Sequence, residues 1–239
     1  MAPAREVCWI FGRGASLDCG LDWVVPSTWS ELERDDQIQR TKRGLSKACC
    51  SDSVSMRPYV RLLRSLARRS TTGVRHRLLT TNWDRLLEAA MLEAVPGDVL
   101  PPWLSDSFVY HLNGSVTDPE SSDHVSDFML ESDPRGRRVP RRLTDMAFAH
   151  SSDTHVVVCV GLSFECQTDS SLLVALGWPL MPIEISTWFL VNPDRSALSS
   201  SKDALARALP RSTVHLVPMA FSEWLDVRFP ELVDSSILA

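Results

Sequence analysis

Glycine is scarce in this chain of 239 residues, at ten in all, and lysine is scarcer, present only as Lys42, Lys47 and Lys202. So little glycine excludes collagen-like and glycine-rich low-complexity architectures. No apolar run approaches the ~20 residues that a membrane-spanning helix needs. The opening MAPAREVCWIFG lacks the layout of a secretory signal. A soluble, cytoplasmic protein with no membrane association is the expectation. The six cysteines, at 8, 19, 49, 50, 159 and 166, include no C-x-x-C pair, so a zinc ribbon lacks ligands at its usual spacing. Cys8 and Cys159 fall inside apolar runs and read as buried thiols. A basic excess is also missing. The net charge of −5 argues against a protein devoted to coating nucleic acid.

What is present is an ordinary globular composition, 44% hydrophobic and 23% charged. The length suits one domain spanning 1–239, with core enough to fold without staples. Continuous apolar runs predict strands at 6–11, 76–81, 108–112, 155–160 and 187–191, with a last one at 214–217. HVVVCV, residues 155–160, has the composition of a strand buried on both faces of a parallel sheet. Between the strands, Tyr59, Leu62, Leu63, Leu66 and Ala67 recur at helical spacing, with arginines on the other face. Helices are also expected at 27–33, 85–94, 143–149, 169–176, 202–209 and 221–227, whereas 34–53 reads as a loop or an ill-defined helix. Residues 118–142 lack periodicity and predict an exposed insertion. Alternating strands and helices give an α/β fold, a doubly wound parallel sheet with helices on both faces.

Five polar motifs follow strands, at the carboxyl edge where such sheets bind ligands. The first is Gly12-Arg13-Gly14-Ala15-Ser16, where three of the ten glycines (12, 14 and 20) crowd into nine residues. Glycines there let backbone N–H groups approach a pyrophosphate, though alone the string is also an ordinary strand-to-helix turn. The others are Thr80-Thr81-Asn82-Trp83-Asp84, His111-Leu112-Asn113-Gly114-Ser115, Gly161-Leu162-Ser163-Phe164 and Val191-Asn192-Pro193-Asp194. Each alone is a loop of turn-forming residues.

In this order the five motifs resemble those of the sirtuin-like (silent information regulator) family, over residues from about 6 to 195. The resemblance implies a Rossmann-like sheet that binds NAD, with no metal at the site. It implies phosphate and adenosine contacts at Gly12 to Ser16, and nicotinamide-ribose contacts at Asn82 and Asp84. Gly161 and Ser163 would sit beside the cofactor, with Asn192 and Asp194 near the adenine ribose. Arg85, Leu86, Leu87 and Glu88 extend the second motif to T-T-N-x-D-x-L-x-E. That longer form is similar to the branch found in prokaryotic antiphage systems.

Two departures matter. Arg13 stands where the family usually has alanine, either turned to solvent or making a further phosphate contact. Asn113 stands where the family's L-H-G-S motif supplies a histidine as general base. An asparagine there, natural or introduced, cannot take a proton at neutral pH. His111, two residues earlier on the same strand face, is either a packed core residue or a substitute base.

The resemblance therefore implies an NAD-cleaving effector of an antiphage system, impaired if position 113 is essential. The alternatives are a non-catalytic NAD- or ADP-ribose-binding module and, further off, an NAD-dependent protein deacylase. A lone effector lacks a trigger, so a sensor on another chain, argonaute-type or otherwise phage-sensing, or a homo-oligomer is expected. Arg135, Arg137, Arg138, Arg141 and Arg142 form a basic cluster, which reads either as a patch for an acidic partner or nucleic acid or as a solvated loop. His150 and His155 have no ligand-type spacing and do not read as metal ligands.

Overall fold

The computed structural model describes residues 5–69, 74–95, 97, 101–106, 108–117, 128, 130, 154–164, 187–227 and 229. Six strands form one all-parallel sheet: β1 (Arg5–Phe11), β2 (Val74–Thr80), β3 (Tyr110–His111), β4 (Thr154–Val160), β5 (Thr187–Val191) and β6 (Thr213–Val217). Their spatial order is β3-β2-β1-β4-β5-β6. That is the strand order of a dinucleotide-type Rossmann sheet. The doubly wound parallel fold expected from the sequence is the fold observed.

β4 over Val156–Val160 and β5 over Trp188–Val191 are apolar at every residue, as strands covered on both faces are. Val7, Trp9 and Phe11 of β1 enter one core, while Cys8 and Ile10 enter the other. The first core is closed by α1 (Arg13–Asp18), α2 (Arg34–Cys49), α3 (Arg57–Arg69), α4 (Leu86–Ala94) and α6 (Phe221–Val227). The second is closed by α5 (Arg195–Ala208), through Leu198 and Leu205. Tyr59, Leu62, Leu63 and Leu66 on α3 are all buried, each contributing roughly 1.5–3 kcal/mol of burial. The arginines opposite them stay outside, where Arg61 pairs with Asp226 and Arg64 with Glu93. Cys8 and Cys159 are buried thiols outside any disulfide, as their apolar runs predicted.

The differences from the sequence expectations have physical causes. Residues 34–49 form a continuous helix, α2, although its buried face includes the polar Gln37, Thr41 and Lys42 beside Ile38 and Leu45. Polar groups on the inner face hide the apolar stripe. Helix α5 begins at 195, seven residues early, because the Asp194 carboxylate accepts the Ser196 and Ala197 N–H groups. A serine-rich first half masks it in the sequence. Residues 27–31 form a single turn of 3-10 helix. Strand β3 shrinks to two residues against the five expected, paired only at Leu79–Tyr110 and Thr80–His111. The insertion at 118–142, the helices at 143–149 and 169–176 and the 135–142 arginine cluster lie outside the described residues, apart from Phe128 and Leu130. No described helix is long and apolar enough to cross a membrane.

The chain winds outward from β1 through β2 to β3, then resumes on the other side at β4. The strand order therefore reverses between β1 and β4. In sheets of this kind that reversal is where ligands bind.

Candidate functional site

A cavity of about 760 Å³ forms a crevice at this reversal, within the range of small-molecule sites. Four of the five sequence motifs contribute to it. Arg13, Gly14 and Ser16 come from the β1 loop, Asn82 and Asp84 from the β2 loop. Gly161 and Ser163 come from the β4 loop, Asn192 and Asp194 from the β5 loop. Gly12, Ala15, His111 and Asn113 are not among the lining residues.

The glycines are there so that two loops can touch. The Gly12 N–H donates to the Val160 carbonyl at 2.8 Å, and the Gly14 N–H to the Gly161 carbonyl at 2.9 Å. A Cβ on Gly12 would fall 2.7 Å from the Gly161 oxygen, and Gly161 itself adopts φ +67°, a conformation that favours glycine. Two amides that the sequence offered to a pyrophosphate are thus already bonded within the protein. The exposed Arg13 side chain is the cation at the same turn.

Behind the turn lies a buried polar chain. Asn82 donates from Nδ2 to the Gly12 carbonyl at 2.9 Å and to Ser16 Oγ at 2.8 Å. Ser16 in turn donates to Asp84 Oδ2 at 2.7 Å, and the Leu86 N–H donates to Asp84 Oδ1 at 3.0 Å. Burial pushes the Asp84 carboxyl pKa up and outweighs these hydrogen bonds, which favour the charged form. The Tyr59 phenol, from α3, hydrogen-bonds the Ser16 and Asn82 side chains, and burial holds its pKa well above the ordinary value. Tyr59 read as a core residue in the sequence, and its helical spacing carried no sign of a polar role.

His111 does not line the cavity. Its Nδ1 lies 2.9 Å from the Asn82 carbonyl oxygen and its Nε2 lies 2.5 Å from Glu88 Oε1. Both partners can accept hydrogen bonds, an arrangement that favours the doubly protonated ring. Burial works to lower its pKa, but the Glu88 hydrogen bond and charge, the Asn82 carbonyl and the Asp84 charge outweigh it, and the pKa rises. Both ring nitrogens are engaged within the protein, so neither is offered to the cavity as a general base. Asn113 is buried as well, donating from Nδ2 to the Thr81 carbonyl at 3.0 Å. It stands one layer behind the wall.

On the β5 side, Asn192 donates to the Leu162 carbonyl at 3.0 Å and accepts the Asp194 N–H at 2.9 Å. Both residues line the cavity while also building the start of α5. The sequence reading missed the apolar wall opposite. Leu21, Trp23, Val24 and Val25 follow the glycine turn, and Leu45 and Phe221 complete that side. Gly44 of α2 admits the Trp23 ring, since a Cβ there would come 2.8 Å from Trp23 Cζ2. The signal was the apolar string Leu21-Asp22-Trp23-Val24-Val25 in an otherwise polar loop. Val24, 54% exposed at the cavity, is an apolar side chain with no core to enter.

Among the described residues no group of three or more histidine, cysteine, aspartate and glutamate side chains could hold a metal ion. No protein-family model matches the chain, and no curated protein sequence matches it.

Proposed function

We propose that the crevice binds NAD or ADP-ribose, and that the protein is an NAD-cleaving effector. One observation carries the reading. Four strand-end loops, far apart in sequence, converge on a single cavity at the reversal point of a 3-2-1-4-5-6 parallel sheet, where dinucleotides bind in this architecture. The lining suits the two ends of such a ligand differently. Arg13 offers a cation to the pyrophosphate, and the apolar wall of Trp23, Val24 and Val25 gives a flat ring surface to lie against. The nicotinamide ribose is assigned to the Asn82 and Asp84 side of the cavity on the likeness of residues 80–88 to the sirtuin-like motif. The role in antiphage defence, with a sensor on another chain, rests on the likeness of residues 80–88 to that branch of the sirtuin-like family.

A second reading, a non-catalytic nucleotide-binding module, is favoured by two observations. Asn113 is an amide, and His111 has both nitrogens engaged. Calorimetric titration with ADP-ribose and an assay for nicotinamide release from NAD separate the two. Binding with release supports the effector, and binding without release supports the module. Arg13→Glu, an exposed change, should weaken ADP-ribose binding about tenfold or more. A wild-type protein that binds neither nucleotide sinks both readings.

A further inference from the structure

The two edges of the sheet are guarded differently. At one edge β3 is only two residues long, and so short a strand offers little template for further pairing. At the other, β6 runs beside β5 over all five of its residues without a bulge. Its sequence, Thr-Val-His-Leu-Val, holds no lysine, arginine, carboxylate or proline, the devices that usually keep an edge from pairing again. The Asn192 N–H donates to the Val217 carbonyl at 3.1 Å. Backbone groups along a strand face alternate sides. Thr213, His215 and Val217 therefore bond to β5, and Val214 and Leu216 turn their N–H and C=O groups away from it. Among the described residues nothing bonds those outward groups. The side chains tell the same story. Leu216 is a large apolar side chain left 39% exposed. Val214, on the same face, is half-buried against the second core. His215 lies on the other face, exposed and stacked flat on the Phe189 ring at 4.7 Å.

We propose that β6 is a pairing edge for a second copy of this chain. Two β6 strands run antiparallel about a two-fold axis at His215 and join two six-stranded sheets into one. The outward groups set this register. In an antiparallel ladder the residues that face each other with N–H and C=O exchange both hydrogen bonds. An axis at His215 sets Val214 opposite Leu216 of the partner subunit, and Leu216 opposite Val214 of the partner subunit. These two pairs use every outward group of both strands. The same pairing closes the exposed Leu216 side chain against an apolar neighbour. Charge favours a second copy over a foreign strand. The edge offers no cation or anion by which a charged peptide would be recognised, and pairing it with itself opposes no like charges. One strand per copy is small against the roughly 1,200–2,000 Å² that stable complexes bury, so the dimer should form and dissociate with concentration.

Sedimentation equilibrium of the full chain between about 1 and 100 μM, a range suited to a small interface, should show the mass rising from monomer to dimer. Leu216→Lys, at an exposed position, should keep the wild-type urea midpoint and stay monomeric throughout. Cross-linking reads the register. In His215→Cys the two thiols face each other at the axis with Cβ atoms about 4.5–5.5 Å apart, and oxidised glutathione should link most chains as dimers. In Thr213→Cys they stand roughly 13 Å apart along the strands, beyond disulfide reach. Linking there should not exceed that of the wild type, whose own Cys50 is exposed. A chain that is monomeric at every concentration overturns the dimer and leaves the edge to a strand of another protein. A dimer that persists in Leu216→Lys overturns its placement at β6, and equal linking of the two cysteine variants overturns the register. Should Leu216→Lys not fold, the cross-linking decides alone.

Discussion

Gly14 and Gly161 meet across the crevice with no room for a side chain between them. The Gly14 N–H donates to the Gly161 carbonyl, and a Cβ on Gly14 would lie 2.7 Å from the Gly161 Cα. The obstacle is backbone, which cannot swing aside as a flexible side chain does. Gly14→Ala should therefore destabilise the protein by about 1–3 kcal/mol, as overpacking does, visible as a lower urea midpoint. Ligand affinity should fall only as far as the two loops part. A midpoint unchanged from wild type would mean that the loops are less tightly opposed.

His111 should act as a cationic clamp on the Asn82 loop. Its pKa is raised, so the stabilisation it gives is complete below the ordinary histidine value of about 6.5 and is lost as pH rises through the folded value. The thermal midpoint and the ADP-ribose affinity should therefore both decline on the alkaline side. His111→Gln should flatten that dependence, whereas His111→Lys, which keeps a charge opposite Glu88, should preserve part of the stability. Equal behaviour of the glutamine and lysine variants would remove charge from the account.

Asn113→His is expected to bring no gain in NAD cleavage. The side chain at 113 is buried against the Thr81 carbonyl, and the residue does not line the cavity. An imidazole there would stand against the Thr81 carbonyl and not at the cavity. A rise of about 10²–10⁴-fold, the usual contribution of a positioned base, would restore position 113 as the catalytic one.

His76 should make the fold sensitive to acid. It is buried, its Nδ1 accepts the Trp9 indole N–H at 3.2 Å, and burial lowers its pKa to about 4. The unfolded chain takes up this proton near pH 6.5 and the folded chain only near pH 4. Stability should then decline as pH falls through that interval and level off below it, by roughly 3 kcal/mol from this group. Urea titrations across that range on wild type and His76→Leu would show the variant with the shallower dependence. Parallel curves would assign the acid sensitivity elsewhere.

The strands, their alternation with helices and the loops that carry the site were legible because each leaves a local mark. A strand covered on both faces tends to run apolar, as at 156–160 and 188–191, and the turn after it carries small or polar residues. Where polar side chains sit on a buried face, as Gln37, Thr41 and Lys42 do on α2, the mark is erased and the helix is hidden. Tertiary structure alone decided which motif residues reach the cavity. Ser16 and Asp84 stand 68 positions apart and meet only because β1 and β2 are neighbours. Gly14 meets Gly161 only because β4 docks on the other side of β1. Asp18, Asp84 and Asp194 are one residue type in the sequence, and burial and partners separate the two that hold helix starts from Asp84, which is buried against Ser16 and the Leu86 N–H. Strand order and depth of burial are properties of the assembled sheet, set by long-range packing that no local pattern encodes.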